Sequence, residues 1–328
     1  MQSETGGDAR DEERHARVSI VIPNWNGLAL LRPCLDALRR QSYRDYRVIV
    51  VDNASSDGSV SVLRREYPEV QVISLPTNRG YSGGSNAGIR AARSEILVML
   101  NNDTEPHSRW LEELIDALDR HPEAGSAASR MMIHDQPNLL HSAGDIYRAN
   151  GIPDSRGVRQ PYGSPFDQEG YVFGGCGGAV AYRRRMLDVI GLFEERFFMY
   201  CEDVDLNWRA QLAGWRCVYA PKAVVHHHLS ATGGGPLSSY HVGRNTLWAI
   251  ARNYPTSLLK RHWREIVAAQ WAIARDALRS YRGAAARARL RGQLAGLLSC
   301  LRWRAARQAI QATCHVGQDY IESILEHG

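Results

Sequence analysis

The sequence predicts an α/β protein, a doubly wound and mostly parallel sheet with flanking helices, followed by a separate C-terminal helical tail. Three observations lead there. Four short runs rich in β-branched residues, at 18–22, 47–51, 70–74 and 96–100, are nearly continuous in apolar character, as strands buried on both faces are. Helix-like stretches at 28–40, 59–66 and 85–93 separate those runs, and another at 106–120 follows them with Pro106 at a favoured first position. Beyond Pro255 the composition turns to Ala, Leu, Arg and Trp in long helical windows, with no glycine before Gly283. Strand alternating with helix implies right-handed crossovers and hence the doubly wound sheet.

The second half is read in the same way. Residues 134–168 are rich in Gly, Pro and Asn and are expected to form a long, partly irregular connection over the site. Residues 171–182 read as strand edges whose glycines are closely approached by another backbone or a ligand. A helix is expected from Arg184, a second from near Asp203 to a stop at Gly214, and then a strand at 215–220 before Pro221 and His226, His227 and His228.

Composition narrows the classes. A chain of 328 residues with 44% hydrophobic content can bury a large core, so disordered and fibrous classes drop out. Six cysteines, Cys34, Cys176, Cys201, Cys217, Cys300 and Cys314, form no CxxC pair, which argues against a zinc ribbon or a disulfide-stapled module and for a reducing cytoplasm. Residues 1–16 are polar and mostly charged, an expected disordered arm rather than a signal peptide or anchor, and no window holds about 18 uninterrupted apolar residues. The net charge of +5 is uneven, because residues 251–328 hold 13 Lys and Arg against 5 Asp and Glu. The basicity belongs to the tail.

In a doubly wound sheet, ligands sit beyond the carboxyl ends of the strands. Those ends carry Pro23, Asn24, Trp25 and Asn26; Asp52 with the loop 53–58; and Asn101, Asn102 and Asp103. Asp52 can accept the imide N–H of uracil or thymine, or serve only its own turn. Residues 78–86 open a helix, so free amides and Arg79 can face a diphosphate; a structural helix start is the other reading, since the run is neither a P-loop nor placed after the first strand. Asp103 offers oxygen to a hard cation bridging two phosphates, or leads an Asx-turn into the next helix. Glu202, Asp203 and Asp205 stand at a helix N-terminus, where the dipole stabilises them, and an ionised Asp203 suits a group that must accept a hydroxyl proton. Asp205 is expected inside the first turn, pointing elsewhere. The three histidines alternate in direction if extended, so at most two serve one site, as metal ligand or as a polar strand end.

Taken together, the segments 18–27, 51–59, 78–88, 100–104 and 197–206 resemble family 2 glycosyltransferases of the GT-A fold, especially the bacterial rhamnosyltransferase-like branch, over roughly residues 17–254. The resemblance implies an inverting enzyme that moves a single sugar, rhamnose first among candidates, from a dTDP- or UDP-linked donor to a glycan or lipid-linked acceptor in cell-surface polysaccharide synthesis. It implies that Pro23, Asn24, Asn26 and Asp52 hold base and ribose, and that Arg79, Gly80 and Asn86 lie near ribose or diphosphate. Asn102 and Asp103 would contact the nucleotide sugar. Asp103 matches the last acid of the family's DxD-like motif and would bind Mn²⁺ or Mg²⁺; Asp203 matches the second member of the acidic pair, the base. Aligning Val225, His227 and Ser230 with a V-x-H-x-x-S pattern selects His227 to complete the metal site. Asn101 stands where a first carboxylate can occur, and no QxxRW element of processive synthases is present, which favours single-sugar addition.

The implied organisation is a catalytic domain at 17–254, with a nucleotide-binding half at 17–104 and an acceptor half at 105–254, and a basic helical tail at 255–328. In the tail Trp263, Trp271 and Trp303 are interleaved among Arg261, Arg264, Arg275, Arg302 and Arg304, which suits an anionic membrane surface and a peripheral location at the inner face of the cell membrane. Packing on the catalytic domain or on a second copy, giving a homo-oligomer, is the alternative. Nucleic acid is not an expected partner. A nucleotidyltransferase would carry a Gly-rich loop with a basic residue where Asn24, Trp25, Asn26 and Gly27 stand, and a non-catalytic nucleotide-sugar-binding protein would not need Asp103, Asp203 and His227 together.

Overall fold

A computed structural model of the chain describes residues 15–228 and 235–327, so residues 1–14 of the expected 1–16 arm, and Ser230, lie outside the described residues. The first half winds as β1 (Val18–Asn24), α1 (Leu28–Arg39), β2 (Tyr46–Asp52), α2 (Ser59–Glu66), β3 (Gln71–Ser74), α3 (Gly80–Ala91) and β4 (Ile96–Leu100). Strand β1 pairs in parallel with β2 and β4, and β2 with β3. The continuous apolar runs have a simple cause: Ile20, Ile22, Val50 and Val98 face one core with α1, while Val21, Val51, Leu97 and Met99 face another with α3.

Helix α3 begins five residues ahead of the expected position 85, so the glycine run is helix rather than loop. Packing explains it. A Cβ on Gly88 would stand 2.3 Å from Val21 Cγ1, and one on Gly84 2.6 Å from Asn53 Nδ2, so glycine lets this helix lie directly on the sheet. A second correction concerns Pro106, which ends a short strand, β5 (Thr104–Pro106), instead of starting a helix; α4 (Trp110–Arg120) begins later. Pro106 pairs with Val225, and the next residue, His107, donates its N–H to Val224 O at 3.0 Å. A proline at that strand end forfeits no ladder bond.

The second half continues as β6 (Ala124–Ile133), β7 (Gln136–Ser142), β8 (Asp145–Tyr147), β9 (Pro153–Ser155), β10 (Gly170–Val172), β11 (Ala179–Arg183), α5 (Arg184–Ile190), α6 (Glu202–Leu212) and β12 (Arg216–His227). Strand β11 lies antiparallel between β4 and β6, and β12 runs parallel to β6, giving the order β10-β12-β6-β11-β4-β1-β2-β3. The stretch 134–168 is thus only partly irregular, since it holds β7 and the β8–β9 hairpin. Strand β12 passes through Pro221 to His227, with a register shift between Ala220 and Val224 absorbing the proline.

The chain closes with α7 (Gly235–Asn253), α8 (Thr256–Arg279), α9 (Ala284–Ser299), α10 (Arg304–Ala312) and α11 (Gln318–Ser323). A Cβ on Gly292 would meet Tyr240 O at 2.1 Å, so α9 presses backbone to backbone on α7. One apolar cluster joins Tyr147, Phe197 and Trp208 to Trp248, Leu258, Trp303 and Ile321, crossing the expected boundary at 254/255. Trp303, expected on the surface with the other tail tryptophans, is therefore a core residue at 1% exposure, 5.2 Å from the ring of Trp248. Trp263 and Trp271 do face outward, at 52% and 64%. Among the described residues no helix is long and apolar enough to cross a membrane.

Candidate active site

Four strand ends and two helix starts supply the polar groups. At the end of β1, Asn24 is buried and joins its neighbours: its amide donates to Ser59 Oγ at 3.2 Å and to Asp52 Oδ1 at 3.5 Å, and its Oδ1 accepts from Asn102 Nδ2 at 2.7 Å. This one side chain ties the ends of β1, β2 and β4 together. Gly27 permits the approach, because a Cβ there would lie 2.1 Å from Asn102 Nδ2. Asp52 Oδ2 accepts from Ser55 N at 3.0 Å, so it does form its own turn. Asn26, at φ 48°, is exposed and accepts from Ser56 N at 2.7 Å. Pro23, Asn24, Asn26 and Asp52 are thereby brought into one rim.

Arg79, Gly80 and Asn86 are distributed differently. Gly80, at φ 69°, opens α3 against Phe198, whose carbonyl oxygen a Cβ would meet at 2.3 Å. The amide of Ser82 donates to that same oxygen at 3.1 Å, so this helix start is only partly free for an anion. Arg79 ion-pairs with Glu195. Asn86 is a correction: it is buried, donates to Phe193 O at 2.8 Å and Glu195 Oε1 at 3.1 Å, and so spends both amide hydrogens on the segment before α6 rather than on a ribose or diphosphate.

Beyond β4, Asp103 is buried, and its Oδ1 lies 3.1 Å from His227 Nε2 at the end of β12. The pairing of β5 with β12, His227 opposite Thr104, sets this meeting. On its other side the His227 ring reaches His141 of β7, Nδ1 to Nδ1 at 3.1 Å. Burial and the neighbouring His227 push the His141 imidazole down to about 4, so it stays neutral and orients its partner without adding charge. His226 and His228 leave by the opposite side of the pleat, and His228 bonds Glu105 at 2.8 Å.

The acidic helix start is held under backbone tension. Phe198, Tyr200 and Cys201 all have φ between 63° and 69°, a region that costs roughly 1–3 kcal/mol per non-glycine residue unless the surroundings enforce it. Asn245 of α7 enforces it, donating to the carbonyls of Phe197, Met199 and Tyr200 at 3.0, 2.9 and 2.7 Å. Asp203 Oδ2 then accepts from Gly177 N at 2.9 Å, and Tyr81 donates to Gly177 O at 2.6 Å, so the 176–178 loop is clasped between α3 and α6. Asn101 N bonds Gly178 O at 2.9 Å, which links this loop back to the Asp103 segment. Burial pushes the Tyr200 hydroxyl up, with the Glu202 and Asp103 carboxyls adding to the shift.

Burial also pushes the Asp203 carboxyl up, with the Gly177 and Val204 amides pulling back. Burial beside Asp203 pushes Glu202 well above the carboxylate range. Glu202 has its own N–H alone, whereas Asp203 receives the amides of Gly177 and Val204, so the negative charge of the pair rests on Asp203. Asp205 differs from its expected role as a bystander. It is fully buried, ion-pairs with Arg209 and Arg252 at 2.9 and 2.7 Å and accepts from Asn253 at 2.8 Å, so replacing it would leave Arg209 with backbone carbonyls alone and Arg252 with Glu194 as its one remaining carboxylate partner among those described.

Sequence reasoning did not find His141 or Asn245. The signal for Asn245 is a residue of poor helix propensity inside a helix, buried for its hydrogen bonds. For His141 there is only its place in a strand that the Gly- and Pro-rich composition hid.

A parallel sheet extended by a mixed half, with the nucleotide-side rim at one set of strand ends and an acidic helix start beside it, is the GT-A architecture. Solved structures that share that fold include two glycosyltransferases with bound nucleotide and Mn²⁺. GalNAc-T7 with UDP, GalNAc and Mn²⁺ matches at TM-score 0.60 and 15% identity over 74% of this chain, which spans about half, 48%, of that one. The mannosyltransferase PcManGT of Pyrobaculum calidifontis, in complex with GDP-Man and Mn²⁺, matches at TM-score 0.54 and 17% identity over 95% of this chain and 84% of its own. Residues 19–191 match the family described as Glycosyl transferase family 2, and the chain belongs to that family, in its bacterial rhamnosyltransferase-like branch. The N-acetylglucosaminyl-diphospho-decaprenol L-rhamnosyltransferase of Mycobacterium tuberculosis is 30% identical over 232 residues, 62% of this chain and 74% of that protein.

Proposed function

We propose that this glycosyltransferase adds a single sugar with inversion, taking it from a dTDP- or UDP-linked donor and passing it to a glycan or lipid-linked acceptor in cell-surface polysaccharide synthesis. The observation that carries the proposal is the linkage of two kinds of group through the 176–178 loop: the Asp103–His227 couple, whose segment bonds Gly178 O through Asn101 N, and the half-buried Asp203, which accepts from Gly177 N. Rhamnose is the first candidate sugar and a polyprenyl diphosphate-linked sugar the first candidate acceptor, on the name of the 30% identical mycobacterial relative.

The residues fit a divalent cation. Two adjacent ligands of an octahedral ion bound at about 2.1 Å stand about 3 Å apart, close to the 3.1 Å between Asp103 Oδ1 and His227 Nε2, and the diphosphate and water can fill the remaining positions. Mn²⁺ or Mg²⁺ held there would neutralise charge on the leaving diphosphate. Asp203 takes the proton from the acceptor hydroxyl as its oxygen attacks the anomeric carbon, and the bond pair of the departing C–O bond goes to the diphosphate. Asp52 and Asn24 bound the base and ribose side, and Arg79 reaches the diphosphate by exchanging Glu195 for it. The outward Trp263 and Trp271 with exposed Arg261, Arg264 and Arg275 suit an anionic membrane surface carrying the acceptor.

Three outcomes are expected. Charge reversal at Arg261, Arg264 and Arg275 lowers co-sedimentation with anionic liposomes; wild-type protein that stays in the supernatant removes the membrane role. Asp103→Ala and His227→Ala weaken Mn²⁺-dependent nucleotide diphosphate binding by calorimetry, Asp103→Ala more, while His226→Ala changes it little; equal losses at both histidines would contradict the strand register. Asp203→Asn lowers transfer at least ~10²-fold with donor affinity kept. Because burial raises this carboxyl and a base must be unprotonated, wild-type transfer falls on acidification at a pH above the ordinary aspartate value of about 3.9. A helix-start role predicts instead near-normal transfer by the Asn variant and a stability loss of about 0.5–2 kcal/mol on replacement by Ala.

A further inference from the structure

A second cluster of ligating side chains lies on the other side of β12 and has no part in the transfer chemistry above. Glu105 of β5, His134 in the turn between β6 and β7, and His228 at the end of β12 each offer one ligand atom, and these atoms all lie within 4.8 Å of one another. His228 Nε2 is 2.8 Å and His134 Nε2 3.4 Å from the same Glu105 Oε1. The pleat explains why this set is separate from Asp103 and His227. Glu105 stands opposite His226 in the β5–β12 register, so it shares the face that His226 and His228 take and His227 does not.

Two further features go beyond a chance meeting of polar groups on a surface. His134 Nδ1 lies 2.9 Å from Asp135 Oδ1, an orientation that turns Nε2 toward the cluster in the way a carboxylate orients a metal-bound imidazole. The two imidazoles are stacked with centroids 3.6 Å apart, so both ring edges reach the same carboxylate oxygen. The side chains are 25% to 36% exposed, so an ion can enter without any part of the fold opening.

We infer that Glu105, His134 and His228 form a second divalent-metal site, of the Zn²⁺ type. Two imidazoles and one carboxylate, a set with more nitrogen than oxygen, suit a borderline ion such as Zn²⁺, and three protein ligands leave a fourth position to water. The ion ties the β6–β7 turn to β5 and β12. Its effect passes to the neighbouring site through two backbone bonds, His134 N–H to His227 O and His228 N–H to Asp103 O, both 2.9 Å. It therefore fixes the peptides that carry Asp103 and His227, and it stands whether or not the glycosyl-transfer reading does.

The test is calorimetric titration of metal-stripped full-length protein with Zn²⁺. Wild type should take up a Zn²⁺ equivalent that persists in Asp103→Ala. Glu105→Gln and His134→Ala, both at partly exposed positions, should each weaken it at least ~100-fold, and Asp135→Asn about 10-fold, the range known for residues that orient ligands. Circular dichroism of each variant checks that its fold is kept. The proposal is overturned if Glu105→Gln and His134→Ala bind Zn²⁺ as wild type does, if wild type binds no more than their double variant, or if Asp103→Ala alone removes the equivalent.

Discussion

Burying a carboxylate is costly unless something nearby offsets the charge, and α6 opens with three acids in four residues. Each is offset differently, and much of the molecule is arranged around those differences. Asp205 has Arg209, Arg252 and Asn253, a closed set that fastens the end of α7 to α6. Glu202 has no such partners and is pushed toward its neutral form. Asp203 has the backbone amides of Gly177 and Val204 and a side still open to solvent. Three acids within four residues thus differ through their surroundings alone: one is a structural tie, one is held toward its neutral form, and one is left to serve as the proton acceptor of the proposed reaction.

The same logic explains why the C-terminal helices cannot be treated as an appendage. Asn245 holds the three positive-φ residues ahead of α6, and Arg252 completes the Asp205 set, so α7 shapes the acidic site from behind. Trp303 fills the apolar space between Phe197 and Trp248, carrying that support on toward the end of the chain. What remains outward on α8 is a narrower surface than the sequence suggested, with Trp263 and Trp271 but not Trp303.

Legibility in the sequence followed the strength of local pattern. Strands β1, β2 and β4 are buried on both faces, so their β-branched runs stand out; β6, written Ala-Gly-Ser-Ala-Ala-Ser-Arg-Met-Met-Ile, is equally buried but built of small residues that carry no strand signature. The start of α3 was hidden because its glycines, needed for close approach to Val21 and Asn53, read as a loop. Strand alternation alone left open which of His226, His227 and His228 meets Asp103; likeness to the V-x-H-x-x-S pattern selected His227, and the structure gives that pair a 3.1 Å separation. Asn86 shows the opposite limit: nothing in its sequence context reveals that Phe193, 107 residues on, consumes its amide.

The central claim is that Asp203 directs one acceptor hydroxyl at the anomeric carbon in a single displacement, with no covalent glycosyl-enzyme stage. The measurement that tests it most directly is the anomeric configuration of the first product, read by NMR against that of the nucleotide-sugar donor before any further reaction. The account predicts inversion. A product that retains the donor's configuration would require two displacements and a nucleophile that this arrangement does not assign, and would contradict it.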